Sequence, residues 1–103
     1  MKRMLLTAGV FALFGILGTA QAAGDIQAGK IKAGSCAGCH GESGEGKDPY
    51  PALAGKTEGD LVQAMQDYKS GKRKNAVMKT LAGQLSDQDI ANVAAYYASL
   101  KGK

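Results

Sequence analysis

The chain has 103 residues and a formal net charge of +4, from 13 basic and 9 acidic side chains. It contains four tyrosines, two phenylalanines, two cysteines and one histidine, and no tryptophan. This length fits one small domain and is too short for two. The modest positive charge gives little support for nucleic-acid binding.

The first 22 residues have the pattern of an export signal. Lys2 and Arg3 precede an apolar stretch from Leu5 to Leu17, and Ala20-Gln21-Ala22 is a small-x-small cleavage site. A membrane anchor is the alternative, but this stretch is shorter than the ~20 residues that span a bilayer. We therefore expect a cleaved signal peptide at 1–22, a single periplasmic domain at 23–103, and no membrane span after cleavage.

Removal of the signal changes the charge and the core of the expected domain. Without Lys2 and Arg3, 11 basic residues remain against 9 acidic ones. Phe11 and Phe14 leave as well, so tyrosine is the only aromatic residue type in 23–103. A domain this small is marginally stable, and a large apolar cofactor would supply the missing core.

The first part of this domain predicts one short helix and one long loop. Asp25 precedes a run that ends near Ala33, and its carboxylate suits the start of a helix. The segment from Gly41 to Lys56 is rich in glycine and proline and predicts a loop. A loop of this length is usually functional or folded around something.

The middle of the domain predicts a second helix and a basic turn. Thr57-Glu58-Gly59-Asp60 resembles a capping box, with Asp in place of Glu, and predicts a helix from about Glu58 to Lys69 that Gly71 ends. Lys72-Arg73-Lys74-Asn75 is then a solvated turn or a surface for a propionate or a partner. A further short helix is expected from Lys79 to Gln84.

The last element is a helix of about fourteen residues. Ser86 and the acidic residues that follow it form an N-cap and a first turn. No stretch alternates with a period of two, so the domain is predicted to be all-α. The apolar face of this helix comprises Ile90, Val93, Ala94, Tyr97 and Leu100.

Both cysteines and the only histidine lie within Cys36-Ala37-Gly38-Cys39-His40. A Cys-x-x-Cys-His run is the pattern of covalent haem attachment, in which two thiols bond to the porphyrin vinyl groups and the histidine binds the iron. Cys36 and Cys39, at i and i+3, project from one side of a helical turn. The motif therefore predicts one covalently bound haem c, with His40 as an iron ligand.

Three other interpretations of Cys36 and Cys39 each lack a necessary part. A thioredoxin-like dithiol needs a βαβ context, which this helical pattern does not provide. A zinc site needs four ligands, and only these cysteines and His40 are within range. A disulfide across so short a loop would constrain the unfolded chain little.

The second axial position of the iron has several candidate ligands: Met65, Met78, a lysine or water. Met65 belongs to the apolar stripe of its helix, together with Leu61 and Tyr68, which favours a role in the core. Met78 follows the irregular 72–76 stretch and lies outside any strong stripe, so the residues favour Met78. A core methionine with an open or lysine-ligated iron remains the alternative.

Taken together, these residues resemble the class I c-type cytochromes, in particular the small periplasmic monohaem type similar to cytochrome c-553. The resemblance covers the whole of 23–103. Besides the haem motif, its marks are Gly24-Asp25, Gly29-Lys30, Pro51-Ala52-Leu53-Ala54-Gly55, Asp67-Tyr68-Lys69-Ser70-Gly71, Leu85-Ser86-Asp87-Gln88-Asp89-Ile90 and Tyr96-Tyr97.

The resemblance implies a class I cytochrome c fold, with four or five short helices wrapped around the haem. It implies His40 as proximal ligand, Met78 as distal ligand, and the carbonyl of Pro51 as acceptor for the second ring nitrogen of His40. It also places Gly29 against Tyr96 or Tyr97. The chain departs from many relatives by having Val77-Met78 where they have two methionines.

The expected function is that of a monohaem electron carrier and not of an enzyme, because an iron with two protein ligands has no position for a substrate. The expected partners are oxidases, reductases, dehydrogenases or other cytochromes that dock transiently. The alternatives are a haem subunit of a larger dehydrogenase or reductase, or an open-site sensor or peroxidase if Met78 does not bind.

Overall fold

The structure is a computed structural model that describes residues 24–100. The signal expected at 1–22 lies outside the described residues. Within them the chain is all-α, as predicted, and its only extended pairing is an isolated bridge between Lys47 and Tyr50. The helices are α1 Ile26–Lys32, α2 Gly34–His40, α3 Glu58–Ser70, α4 Ala76–Gly83 and α5 Asp87–Ser99.

Three helices begin at the capping residues that the sequence indicated. The side chains of Asp25, Thr57 and Ser86 each accept a backbone N–H from the first turn of the following helix. Ser86 and Asp89 form a complete capping box, since each side chain accepts the other residue's backbone N–H. Gly71 ends α3 in the left-handed region, at φ +87°.

The fourth helix begins earlier than predicted. The sequence suggested Lys79 to Gln84, whereas α4 spans Ala76–Gly83. The reason is Asn75, whose side-chain Oδ1 accepts the N–H of Met78 at 3.0 Å and caps the helix. Met78 therefore lies in the first turn of a helix and does not follow an irregular segment directly.

The two terminal helices of the described chain, α1 and α5, cross in close contact. A Cβ built on Gly29 would overlap the carbonyl oxygen of Asn92 and lie 3.0 Å from the Cβ of Tyr96. The prediction that Gly29 lies against one of the two tyrosines is thus confirmed for Tyr96. Only a residue without a side chain allows the two backbones to approach this closely.

The core is small and lies mainly on α5. Tyr97 and Ile90 are its largest fully buried side chains, and α3 adds Leu61. The buried hydrophobic residues of the described chain are Ala33, Ala54, Leu61, Ala82, Ile90, Val93, Ala94, Ala95 and Tyr97.

None of the helices within residues 24–100 is both long and apolar enough to cross a membrane.

The helix crossing makes a prediction about stability. Gly29→Ala should lower the free energy of unfolding of the holoprotein by about 2 kcal/mol, because the new methyl group overlaps the α5 backbone. The matched control is Gly59→Ala in α3, where an added Cβ meets nothing within 4 Å. The control should leave stability unchanged or raise it by up to ~0.5 kcal/mol. Equal urea unfolding midpoints for the two variants would contradict the close crossing.

Candidate functional site

The two cysteines lie on α2, three residues apart. This spacing puts both side chains on one side of the helix. Both thiols are free and partly buried. Burial raises the pKa of the Cys36 thiol, which therefore stays protonated near neutral pH. The pair presents two thiols side by side, as attachment to two groups on one edge of a planar ring requires.

His40 is the last residue of α2, and its side chain is nearly buried, at 7% exposure. Its Nδ1 lies 2.7 Å from the carbonyl oxygen of Pro51. A carbonyl can only accept a hydrogen bond, so Nδ1 must carry a proton, and in the neutral imidazole the lone pair is then on Nε2. The imidazole is thus fixed in the tautomer that offers Nε2 to a metal.

The loop between α2 and α3 folds back over His40. The N–H of Gly46 donates to the carbonyl of His40 at 2.7 Å, and the ring of Tyr50 packs edge-on against the imidazole, with centroids 6.0 Å apart. The loop turns sharply at Gly41 and Gly46, which have φ of +96° and +81°. Tyr50 is a site neighbour that the sequence analysis did not identify, although it directly precedes Pro51.

Tyr97 of α5 lies beneath the motif. Its side chain is 1% exposed, and its ring packs so closely on Gly44 that a Cβ there would come within 2.6 Å of the ring. Within residues 24–100 its hydroxyl has no hydrogen-bond partner of ordinary geometry, although the Cys36 sulfur is near enough to interact with it. Burial raises the pKa of the Tyr97 phenol. The sequence analysis placed Tyr97 on a helix face and near Gly29, but not next to Cys36.

Met78 lies on α4, whereas the Cys-x-x-Cys-His motif lies on α2. α4 packs against α3, whereas α2 packs against α1. Met78 is half-buried, and its neighbours Ala76, Val77, Thr80 and Leu81 line a shallow apolar hollow. The structure joins His40 to Pro51 and packs Cys36 against the core cluster that contains Tyr97, whereas Met78 lies on α4. If a haem is bound, His40 and Met78 would hold its iron from two separate helices.

The donor set fits haem c better than a bare metal ion. Within the described chain, no three His, Cys, Asp or Glu side chains converge as a metal-binding group. The available groups are two adjacent thiols, an imidazole with Nε2 free and a thioether on another element. Thioether bonds to the porphyrin with histidine and methionine on the iron use all of these groups.

Comparison with known proteins supports the same family. Residues 26–101 match the family model of cytochrome c. Cytochrome c4 of Pseudomonas aeruginosa is 45% identical over 102 residues, which cover 98% of this chain and 50% of that protein. Cytochrome c-554(548) of Halomonas halodenitrificans is 46% identical over 81 residues, which cover 75% of this chain and 98% of that protein.

A third relative, the thiosulfate dehydrogenase electron acceptor of Thiomonas intermedia, is 37% identical over 98% of this chain and 45% of its own length. The crystal structure of reduced recombinant cytochrome c4 from Pseudomonas stutzeri superposes with a TM-score of 0.74 at 40% identity, covering 79% of this chain and 48% of that one. The chain therefore spans about half the length of the cytochrome c4 relatives and nearly all of cytochrome c-554(548).

These matches confirm the all-α class I cytochrome fold and imply a covalently bound haem c. The relatives are named cytochrome c4 and c-554, so they support the class and not the c-553 type in particular. The printed names of these relatives describe cytochromes and an electron acceptor. The chain belongs to the cytochrome c family.

Proposed function

We propose that this domain carries single electrons through one haem c, with Cys36 and Cys39 as its covalent attachment points and His40 and Met78 as its iron ligands. The contact between His40 Nδ1 and the Pro51 carbonyl carries this proposal. In the neutral imidazole this contact leaves Nε2 as the ring nitrogen with a lone pair, on the residue that directly follows the second thiol.

Each residue has a separate task in this proposal. The haem, when bound, supplies one-electron chemistry at its iron. Cys36 and Cys39 fix its orientation, and the Pro51 carbonyl holds the His40 ring and increases its donor strength. The Met78 thioether favours the ferrous state and so raises the reduction potential. With His40 and Met78 both on the iron, no position is left for a substrate.

We propose one haem for these 103 residues, because they contain two cysteines and a single histidine within one motif. We propose that residues 1–22 direct the domain to the periplasm and are removed. There it exchanges electrons with oxidases, reductases, dehydrogenases or other cytochromes. Short-lived docking through a small interface suits a carrier that must leave each partner after one electron.

A second candidate function is that of a fixed electron-accepting part of a larger dehydrogenase. The similarity to the thiosulfate dehydrogenase electron acceptor favours it. The chemistry at the iron would be identical, and only the lifetime of the contact with the partner would differ.

Covalent attachment can be tested by replacing both thiols. In the wild type, haem should stay with the protein after acid-acetone extraction, and the intact mass should exceed that of the polypeptide by one haem. The double variant Cys36→Ser/Cys39→Ser should lose both properties, because no thioether can form. Ser35→Ala, next to the motif, is the control and should retain the haem. Haem that is extractable from the wild type, or a mass of two haems, would overturn the assignment.

The distal ligand can be tested by optical spectroscopy of the oxidised holoprotein. The wild type should show the weak long-wavelength charge-transfer band of a methionine–iron bond, and Met78→Ala should lose it. Met65→Ala is the matched control, since Met65 is also half-buried but lies on α3. Loss of the band in Met65→Ala, or its survival in Met78→Ala, would assign the ligand elsewhere. A wild type without the band and with fast peroxide turnover would favour the open-site alternative.

A free carrier and a subunit bound to a larger dehydrogenase should elute at different sizes from an extract of the native host. The haem absorbance of a periplasmic extract should elute at the volume of a single small domain if the protein is a carrier. The N-terminal residue of that material should be Ala23, because cleavage is expected after Ala22. Co-elution of all of the haem with a dehydrogenase at high salt would support the subunit instead.

A further inference from the structure

Asn75 is bonded directly to the backbone of Met78. The side-chain Oδ1 of Asn75 accepts the N–H of Met78 at 3.0 Å, and its carbonyl accepts the N–H of Lys79 at 2.9 Å. Asn75 has the extended backbone of an N-cap, at φ −160° and ψ 110°, so Met78 is the third residue of α4. One asparagine side chain therefore fixes the main chain of the candidate ligand.

The first turn of α4, which carries Met78, contributes little to the buried core. The buried residue of α4 is Ala82, in its second half, with 0% exposure, whereas Val77 is 64% exposed. The position of the Met78 end of α4 thus depends on its cap more than on core contacts. The exposed residues around Met78 are Ala76, Val77, Lys79 and Thr80.

The turn that leads to Asn75 is itself attached to α3. The N–H of Arg73 donates to the carbonyl of Asp67 at 3.0 Å, and the Arg73 guanidinium lies 4.9 Å from the centroid of the Tyr68 ring. This attachment combines a backbone hydrogen bond with a cation–π contact. Asn75 is therefore the link between a turn held by α3 and the backbone of Met78.

From these contacts we infer that Asn75 is a positioning residue for the distal ligand, acting through its hydrogen bond to the Met78 N–H. This inference rests on the proposed function, in which Met78 binds the iron. Asn75 does not touch the iron itself. Its side chain limits the movement of the first turn of α4, and removal of that side chain lets Met78 leave the iron more readily.

Competition by an added ligand measures this effect directly. Imidazole binds ferric haem only when Met78 has moved away, so its apparent Kd reports how firmly Met78 is held. Asn75→Ala should keep the methionine–iron band without imidazole and bind imidazole about fivefold more tightly, the change that loss of an N-cap hydrogen bond predicts. Asn75→Ser retains an oxygen acceptor and should bind imidazole within about twofold of the wild type.

Thr57→Ala is the matched control, because it removes the equivalent cap of α3, where Thr57 Oγ1 accepts the N–H of Asp60 at 3.1 Å. The first turn of α3 carries no candidate ligand. This variant should lower the urea unfolding midpoint as Asn75→Ala does, but leave the imidazole Kd unchanged. The comparison separates a local effect at Met78 from a general loss of stability.

The outcomes distinguish the inference from the proposal beneath it. If the wild type shows the band and Asn75→Ala binds imidazole as the wild type does, Asn75 only caps a helix and the inference is wrong. An equal gain in affinity in Thr57→Ala would also overturn it. If the wild type lacks the band and binds imidazole as tightly as Met78→Ala does, the ligand assignment fails, and the inference fails with it.

Discussion

The hydrogen bond between His40 Nδ1 and the Pro51 carbonyl constrains the loop that connects the two residues. The two residues are eleven positions apart, and the atoms meet at 2.7 Å only because the chain turns back after α2. Gly41 makes the first turn, at φ +96°. Gly46, at φ +81°, donates its N–H to the carbonyl of His40. These backbone conformations are unfavourable for other residues, so two glycines serve the placement of one imidazole.

The loop in turn lies on α5. Gly44 packs on the Tyr97 ring, and the N–H of Gly55 donates to the Tyr97 carbonyl at 3.1 Å. The same tyrosine lies beside Cys36. α1 packs against α5 at Gly29, where an added Cβ would overlap the α5 backbone. The geometry at His40 therefore depends on a sequence of contacts that begins at the helix crossing, which explains how so small a core fixes a site.

The sequence predicted those features that depend on neighbouring residues. Asp25, Thr57 and Ser86 identified three helix starts, because an N-cap acts on residues two or three positions later. The Cys-x-x-Cys-His motif at 36–40 identified haem attachment for a similar reason, because all of its residues are close together in the sequence. Asn75 has the same capping chemistry, yet it follows three basic residues and was interpreted as part of a turn.

Other features depend on contacts between distant parts of the chain, and the residues alone did not reveal them. The packing of Tyr50 on His40 requires the loop to fold back first. The position of Tyr97 beneath Cys36 requires α5 to cross α1 and to contact the loop. The Pro51 and Gly29 contacts were foreseen only through resemblance to a family. In each case the physical cause is tertiary packing, which a local pattern does not encode.

The two proposed iron ligands are held in very different ways. His40 directly follows a cysteine, is nearly buried and is hydrogen-bonded to a loop that packs on α5. Met78 lies in a helix turn with exposed neighbours and is fixed by one side chain. A change at His40 or Pro51 therefore disturbs the loop and the core together. A change near Met78 would alter the proposed second ligand without disturbing that loop, so in this proposal the Met78 side is the one that can vary with least effect on the fold.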